Sequence, residues 1–350
     1  MESILKCIKN IDKDMVVAAK KRLDSLSKPL GSLGRLEDMV MQICGITRQL
    51  MPSIDKKAIV VMCSDNGVVE EGVTQVGKEV TAAVVMNFTR GITGINVLAK
   101  HCGADVVIVD IGVDADVSHP HIFNRKIRNG TWNISKGPAM TRQEAEKAIV
   151  SGVELVGELK KQGYGIIGTG EMGIGNTTTS SAVACAITGF CVDCMVGRGA
   201  GLSDEGLKRK RDVVRKALEI NKPDRTDGID VVSKVGGFDI AGLAGCFIGG
   251  AVHKMPIVID GFISMAAALV AATIEPKTKQ YMIPSHFSAE PGTMKLFEYL
   301  QLKPYLHLDM RLGEGTGCAL AFHIIDAAFA AYKYMGTFSD ANIRQYEPQR

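Results

Sequence analysis

The glycine-rich stretch 168–179, Gly-Thr-Gly-Glu-Met-Gly-Ile-Gly-Asn-Thr-Thr-Thr, carries groups suited to binding a phosphate. Glycines let the backbone approach a ligand closely, and free N–H groups at the start of a helix attract anions. Asn176 and Thr177 are suitable N-cap residues for the helix predicted to follow. The predicted phosphate and ribose contacts in this stretch are Gly173, Gly175, Asn176, Thr177 and Thr178. A structural turn without a ligand is the alternative interpretation.

A second glycine-rich stretch, 197–201, reads Gly-Arg-Gly-Ala-Gly and precedes another predicted helix. Arg198 and Lys210 could supply positive charge to a phosphate. We include Gly199 among the predicted phosphate contacts. Lys208 lies on the same predicted helix and is an alternative to Lys210. Surface charge on a glycine turn is an equally open interpretation of this stretch.

Glu314 is the residue best suited to acid–base chemistry. It stands between two glycines, after a predicted strand and before a predicted helix. Nothing local covers its carboxylate, so a substrate can reach it. Neighbouring surfaces can partly desolvate the carboxylate and raise its pKa towards that of a useful base. A plain acidic turn residue is the alternative interpretation.

The stretch 168–173 also matches the dinucleotide-binding fingerprint G-x-G-x-x-G. That fingerprint requires an acidic residue about twenty residues further on, at the end of the next strand. Asp193 has roughly this spacing, but it precedes the predicted strand 194–196 and so lies at the wrong end. Glu171 would also direct a negative charge at the pyrophosphate. An NAD-dependent oxidoreductase is therefore disfavoured.

Alternating strands and helices must position these loops. Short apolar, β-branched runs predict strands at 58–62, 106–110, 164–167, 194–196, 256–259, 281–284 and 306–309. Helical patterns cover 79–99, 142–159, 177–187, 205–219, 239–251 and 262–272. This alternation predicts an α/β fold with a largely parallel sheet and helices on both faces. Ligands of such sheets bind at the carboxyl ends of the strands, where the glycines cluster here.

The two ends of the chain have a different pattern, which is purely helical. Helices are predicted at 13–26 and 35–50, and again at 318–334. We expect residues 1–50 and 318–350 to pack together as a small helical domain. Residues 51–317 would then form the large α/β catalytic domain.

Composition argues against several classes of protein. Hydrophobic residues make up 46% of the 350, and the net charge of +3 gives no footprint for nucleic acid. The most apolar stretch, 240–274, contains His253, Lys254 and Asp260, which indicates a buried core rather than a membrane span. The N-terminus has no apolar leader, and the nine cysteines have no disulfide-like spacing. We therefore expect a cytoplasmic protein.

Motifs for ATP and for metals are missing from the sequence. No G-x-x-x-x-G-K-[ST] occurs, and no strand ends in the paired acidic residues that grip the ribose of phosphoribosyl diphosphate. Cys191 and Cys194 form a lone C-x-x-C, which we interpret as core residues. His119 and His121 indicate an exposed loop. The sequence therefore predicts neither a metal site nor a cofactor.

Several long motifs, in a fixed order, resemble those of the nicotinate-nucleotide–dimethylbenzimidazole phosphoribosyltransferase family. They are 28–37 (Lys-Pro-Leu-Gly-Ser-Leu-Gly-Arg-Leu-Glu), 64–68 (Ser-Asp-Asn-Gly-Val), 87–98, 168–178, 197–201, 237–242 (Gly-Phe-Asp-Ile-Ala-Gly), 285–286 with 290–292, and 311–317. The resemblance covers nearly the whole chain. It implies a Rossmann-like α/β domain, a small domain from the two chain ends, and a homodimer.

The resemblance also implies a reaction. A 5-phosphoribosyl group passes from nicotinate mononucleotide to 5,6-dimethylbenzimidazole with inversion, and the products are α-ribazole 5′-phosphate and nicotinate. Glu314 matches the family's catalytic glutamate, the proposed general base. Glu171 and Lys210 match residues near the ribose phosphate and the reaction centre. Positive charge developing on the ribose would favour a nearby carboxylate, which makes Glu171 the second predicted catalytic residue.

The stretch 72–81, Gly-Val-Thr-Gln-Val-Gly-Lys-Glu-Val-Thr, departs from the family's pattern, and Ala83 stands where the family commonly has glutamine. In the family this part lines the acceptor-base pocket. The predicted pocket residues here are Thr74, Gln75, Ala83, Met86 and Leu312. Alternative acceptors are phenol or p-cresol, for which the partner could be a paralogous subunit, and other benzimidazoles or purines. A non-catalytic partner subunit is a further alternative, against which Glu314 and both glycine loops argue.

Overall fold

A six-stranded parallel sheet forms the centre of the protein, which the computed structural model describes over residues 1–344. Its strands are β1 Lys57–Ser64, β2 Ala104–Gly112, β3 Ile122–Asn124, β4 Ile166–Met172, β5 Ile257–Ile259 and β6 Met282–Pro284. They lie in the order β3-β2-β1-β4-β5-β6, and each neighbouring pair is parallel. A separate parallel pair consists of β7 His286–Phe287 and β8 Leu306–His307. The predicted α/β fold with a largely parallel sheet is confirmed.

Helices connect these strands. Their bounds are α1 Glu2–Leu5, α2 Lys13–Ser25, α3 Arg35–Thr47, α4 Glu79–Thr89, α5 Gly94–His101, α6 Arg142–Lys161, α7 Asn176–Thr188, α8 Val192–Met195, α9 Asp204–Asn221, α10 Gly228–Val235, α11 Phe238–His253, α12 Phe262–Ile274, α13 Thr293–Leu300 and α14 Thr316–Tyr334. Short 3-10 helices occupy Gly67–Glu71 and Pro276–Tyr281.

Both faces of the sheet are buried, because successive side chains of a strand point to opposite faces. Along β1, alternate residues enter two different apolar clusters. One cluster packs under α6, α11 and α12, and the other packs under α3, α5 and α14. The apolar stretch 240–274 supplies most of α11, β5 and α12, whose residues are largely buried. The interpretation of that stretch as core is therefore confirmed.

The two ends of the chain meet on the second face of the sheet. Leu23 of α2, Ile43 of α3 and Phe322 of α14 share one buried cluster. Beyond these helices, Leu26 pairs with Thr337 in an antiparallel bridge. This packing agrees with a joint helical unit, while its boundaries as a domain stay a prediction. Residues 345–350 of the predicted segment lie outside the described residues.

Two predicted strands have a different form in the structure. The predicted strand 194–196 is wrong, because the amides of Cys194 and Val196 bond back to Cys191 and Val192 and close the helical turn α8. Both edges of β4 are already occupied by β1 and β5, so no strand could join there. The predicted strand 306–309 shortens to β8, which pairs with β7 outside the main sheet.

The predicted helix 79–99 is also wrong in its continuity. It is divided into α4 and α5, because the chain turns at 90–93 and Gly91 takes a positive φ of 72°. By length and composition alone the segment Glu79–His101 could cross a membrane, and it is the one such segment within residues 1–344. The turn at 90–93 separates α4 from α5, so this segment is not one continuous apolar helix.

The C-x-x-C pair is not part of the core. Cys191 and Cys194 form a disulfide, and Cys191 is exposed. The single turn of α8 brings their Cα atoms to 5.4 Å, a separation that a disulfide spans readily. The interpretation of these two cysteines as core residues is therefore wrong.

Candidate active site

A cavity opens at the carboxyl ends of β4 and β5, the position at which parallel sheets bind ligands. Most of the predicted site residues line it: Glu171, Gly173, Gly175, Asn176, Thr177, Arg198, Gly199, Lys210, Thr74, Gln75, Leu312 and Glu314. Three others do not line it. Thr178 is fully buried inside α7, Ala83 is exposed on α4, and Met86 packs on the second apolar cluster.

One side of the cavity is acidic. This acidic wall consists of Glu171, Asn176, Asp260 and Glu314, and the fully buried Asp239 contacts it through Asn176. Glu171 is the second-last residue of β4, and pairing with β1 continues as far as Met172, so that Gly168 and Gly170 belong to the strand rather than to a loop. The strand thereby carries the carboxylate directly to the cavity.

Glu171 is held in a short chain of polar side chains. The Asn176 amide donates to Glu171 and also, over 3.0 Å, to the Asp239 carboxylate. Glu171 is only 7% exposed, and this burial raises its pKa to about 8, although the bond from Asn176 opposes the shift. Burial also raises the pKa of Asp239 to about 6. Glu171 therefore holds its proton far more readily than a surface glutamate does.

Glu314 lies on the same wall in an unusual backbone conformation. Its φ is 61°, and Gly313 and Gly315 on either side also have positive φ. Its Oε2 accepts the Ile95 amide at the start of α5 over 2.9 Å. Burial raises the pKa of Glu314, the Ile95 amide lowers it, and the charge of Asp260 raises it further. A partly buried carboxylate of this kind suits a general base.

The backbone around Glu314 packs tightly against its neighbours. A Cβ on Gly170 would overlap the carbonyl group of Glu314, and a Cβ on Gly313 would lie 2.5 Å from Oε1 of Glu171. Glycine is therefore required at both positions for the loop to lie against β4. This contact brings the two predicted catalytic glutamates to one place.

The opposite side of the cavity is basic. This basic wall consists of Thr177, Arg198, Gly199, Lys210 and Arg311. Lys210 on α9 is only 1% exposed, and its Nζ donates to Oγ1 of Thr177 over 2.7 Å. Burial lowers the pKa of Lys210 to about 8, and the charge of Glu290 opposes the shift. Lys208 is exposed on the same helix and does not line the cavity.

The two arginines of the basic wall are more exposed than Lys210. Arg198 donates to the backbone oxygen of Leu202 and pairs with Asp204. Arg311 donates over 3.2 Å to the backbone oxygen of Gly199. Both side chains therefore brace the loop 197–201.

The helix α7 points its N-terminus at the basic wall. Its N-cap is Gly175, with a φ of 92° and no side-chain cap, and Asn176 is the first helical residue. The predicted capping by Asn176 or Thr177 is therefore wrong, because the chain enters the helix one residue earlier. The amides of Asn176 and Thr178 already donate to the carbonyl oxygens of Gly173 and Gly175, so within the first turn the Thr177 amide stays available for an anion.

The predicted acceptor side is formed by the loop before α4. Thr74, Gln75 and Val76 line the cavity there, and Leu312 lies across from them with 60% of its surface exposed. Gln75 donates its side-chain amide to the backbone oxygen of Gly201. This bond ties the acceptor side to the loop of the basic wall.

Sequence reasoning missed several residues of the cavity. Asp260, His286 and Glu290 line it, and so do Phe262 and Ser264. Asp260 follows β5 directly, as Glu171 lies near the end of β4, so its place at a strand end was a usable signal. Within the described residues, no group of three or more His, Cys, Asp and Glu side chains could hold a metal ion.

Known proteins resemble this chain over nearly its whole length. A family model described as a phosphoribosyltransferase matches residues 8–343. The chain is 60% identical to nicotinate-nucleotide–dimethylbenzimidazole phosphoribosyltransferase of Acetivibrio thermocellus, over 99% of this chain and 98% of that protein. The protein of that name from Ruminiclostridium cellulolyticum is 58% identical, over 99% of both chains. The crystal structure of CobT from Thermus thermophilus matches with a TM-score of 0.91 at 37% identity, covering 95% of this chain and 100% of that chain.

Proposed function

The chain belongs to the nicotinate-nucleotide–dimethylbenzimidazole phosphoribosyltransferase family, and from that premise we propose its reaction and mechanism. It transfers 5-phosphoribosyl from nicotinate mononucleotide to 5,6-dimethylbenzimidazole and releases nicotinate. Glu314 is the general base. The observation that carries the proposal is the Glu314 carboxylate on the cavity wall, with Oε2 held by the Ile95 amide. No hydrogen bond to its Oε1 forms within residues 1–344, so this oxygen can accept a proton.

The bonds exchanged define what the protein must do. The bond from C1′ to the nicotinate nitrogen breaks, and its electron pair stays on the neutral pyridine ring, so no general acid is required. A ring nitrogen of the benzimidazole forms the new bond to C1′, and the other nitrogen loses its proton to Glu314. Attack from the face opposite the leaving group inverts the anomeric carbon and gives α-ribazole 5′-phosphate.

The 5′-phosphate binds at the basic wall. Buried Lys210 and half-buried Thr177 lie there side by side, and the Thr177 amide belongs to the first turn of α7 at the same place. A charged lysine and a helix N-terminus together suit a phosphate dianion. Anchoring the phosphate fixes the distance from C1′ to Glu314, which turns the transfer into a reaction between positioned groups.

Glu171 stabilises positive charge at the reacting ribose. In the free protein its pKa of about 8 leaves much of it protonated near neutrality. The pyridinium of the bound nucleotide, and the ribose cation that develops from it, favour the ionised carboxylate. Binding of the nucleotide would therefore release a proton from Glu171.

The acceptor lies between the loop that holds Thr74 and Gln75 and the exposed side chain of Leu312. The lining there is a mixture of apolar and uncharged polar groups, which suits a flat aromatic base. Phenol or p-cresol is the second candidate acceptor, because Thr74 and Gln75 replace the family's usual residues. We further propose a homodimer in the cytoplasm that needs no cofactor.

The proposal is tested by supplying the purified protein with nicotinate mononucleotide and one acceptor at a time. Dimethylbenzimidazole, adenine, phenol and p-cresol are compared by chromatographic measurement of nicotinate release. Dimethylbenzimidazole is expected to support the fastest release, and the coupling of the anomeric proton in the product reports the configuration. If none of the four acceptors supports release, the transferase proposal is contradicted. A phenolic preference would replace the acceptor while keeping the reaction.

A further inference from the structure

We propose that Asp260 is a positioning residue, which fixes the loop 313–317 so that Glu314 faces the acceptor. This inference rests on the proposed base role of Glu314. Asp260 follows β5 at the floor of the cavity and is 2% exposed. It acts through the backbone of the loop and not through contact with the reacting atoms.

The loop needs such a support because its backbone is strained. Gly313, Glu314 and Gly315 all have positive φ, at 82°, 61° and 91°. Glycine accepts this region freely, but for glutamate it costs energy, and such a residue persists only where its surroundings hold it. The strain is concentrated at the one residue whose carboxylate is proposed to take the proton.

Asp260 provides that support with both of its carboxylate oxygens. Oδ1 accepts the Gly317 amide over 2.7 Å, and Oδ2 accepts the Gly315 amide over 3.1 Å. The two amides lie directly after Glu314 and at the start of α14. A carboxylate that accepts from both fixes the direction in which the chain leaves Glu314, and therefore the direction of its side chain.

Asp260 is itself held from two sides. Its amide donates to Oγ of Ser264 over 3.2 Å, and its carbonyl oxygen accepts from Oγ of Ser285 over 3.3 Å. The buried pair of Ser264 and Thr169 extends this support to β4. Asp260 is thus held in place by the sheet and its neighbours, and it connects them to the Glu314 loop.

The charge of Asp260 has a second consequence for Glu314. Other titratable or charged groups also line the cavity. They are Glu171 of β4, His286 of β7, Lys210 of α9, Glu290, and Arg311, which precedes the loop 313–317. Among these groups Asp260 is the charge that raises the pKa of Glu314 beyond the effect of burial. Replacing it with a neutral side chain is expected to move the titration of Glu314 to lower pH.

The first test uses Asp260→Asn, which keeps the shape of the side chain. It places an N–H group, instead of an accepting oxygen, against one of the two loop amides. We expect kcat to fall roughly 30-fold, with KM for nicotinate mononucleotide changed less than about threefold, because the phosphate anchor is untouched. In a Glu314→Gln background the same change should have almost no further effect. Asp239→Asn is the matched control, since Asp239 is equally buried but contacts Asn176 and not the Glu314 loop. Its effect should persist in the Glu314→Gln background.

The second test is the pH profile of kcat/KM, which needs no residual activity in Glu314→Gln. The acid limb of this profile reports the titration of Glu314. It should move to lower pH in Asp260→Asn and should stay in place in Asp239→Asn. A fall in kcat with an unmoved acid limb would overturn the proposal, as would a full additional loss in the double variant. If Asp260→Asn does not fold, Ser264→Ala removes the hydroxyl that holds Asp260, and it should lower kcat with KM unchanged; an unchanged kcat would contradict the inference.

Failure of the proposed function would appear differently. In that case the unmodified protein would release no nicotinate with any acceptor. Failure of the positioning role would leave the unmodified protein active and only the Asp260 variants without the expected behaviour.

Discussion

The acidic and the basic walls of the cavity hold charge in different ways. On the acidic wall Glu171 and Asp260 are buried and Glu314 is partly buried, and N–H groups of Asn176, Ile95 and the Glu314 loop hold these carboxylates. On the basic wall only Lys210 is buried, while Arg198 and Arg311 lie at the surface and bond to backbone oxygens. Fixed donors in a desolvated site shift pKa values, whereas exposed cations can move to meet a ligand. The acidic wall therefore suits proton transfer, and the basic wall suits capture of a phosphate from solvent.

The largest expected effect comes from removing Glu314, the proposed base on the acidic wall. Glu314→Gln keeps the hydrogen bond from Ile95 but cannot take a proton, so we expect kcat to fall about 1,000-fold. Binding of nicotinate mononucleotide, measured by calorimetry, should be nearly unchanged because the basic wall is intact. Near-normal turnover would place the base elsewhere.

The next largest effect should come from the buried cation of the basic wall. Lys210→Met removes a charged hydrogen bond worth about 1.5–3 kcal/mol, so KM for the nucleotide should rise roughly 10- to 100-fold. Because the pKa of Lys210 is lowered to about 8, the affinity of the unmodified protein should also fall as the pH rises above 8. Lys208→Met is the matched control on the exposed face of α9. An equal loss in both variants would show that only general positive charge matters.

A smaller effect is expected on stability from the proton held by Glu171. Folding raises the pKa of Glu171 from near 4.5 to about 8, so the folded state keeps a proton that the unfolded state loses, and stability falls as pH rises through this range. Glu171→Gln should remove this dependence. Asp239 titrates near pH 6 in both proteins, so the comparison is made between pH 6 and 8. Over that interval the melting temperature of the unmodified protein should fall by several degrees more than that of the variant.

The smallest effect tests the connection between the acceptor side and the basic wall. Gln75→Ala removes the bond to Gly201 and should raise KM for the acceptor about threefold, as expected from the loss of one hydrogen bond near the surface. KM for the nucleotide should stay constant. A larger change for the nucleotide than for the acceptor would show that Gln75 supports the phosphate loop instead.

Much of the candidate site could be predicted from the sequence because parallel strands end at one edge. Glu171 lies near the carboxyl end of β4, where this rule predicts a ligand site. Glu314 follows β8, which pairs with β7 outside the main sheet, so its place in the cavity was indicated by its two flanking glycines and by the resemblance to the family. The glycine-rich stretch before α9 indicated Lys210 but could not separate it from Lys208. That choice depends on which face of α9 turns inward, and only the packing of α9 against α7 decides it.

The missed features depend on tertiary contacts. Asp260 stands in an apolar stretch, where a buried carboxylate looks like an isolated polar residue until the amides of Gly315 and Gly317 are found beside it. The run 194–196 has the composition of a strand, but the sheet has no free edge at β4. The resemblance to the family predicts Ala83 in the pocket, but Ala83 lies on an exposed face of α4 instead.

The close approach of Gly170 to the carbonyl of Glu314 limits how this sequence can evolve. A single added methyl at Gly170 would overlap that carbonyl and push the loop away from β4. The constraint falls on Gly170 alone, because a change of side chain at position 314 leaves that backbone carbonyl where it is. In a library of all single substitutions, position 170 should tolerate no replacement. The position of the Glu314 loop thus fixes glycine at position 170 of the strand beneath it.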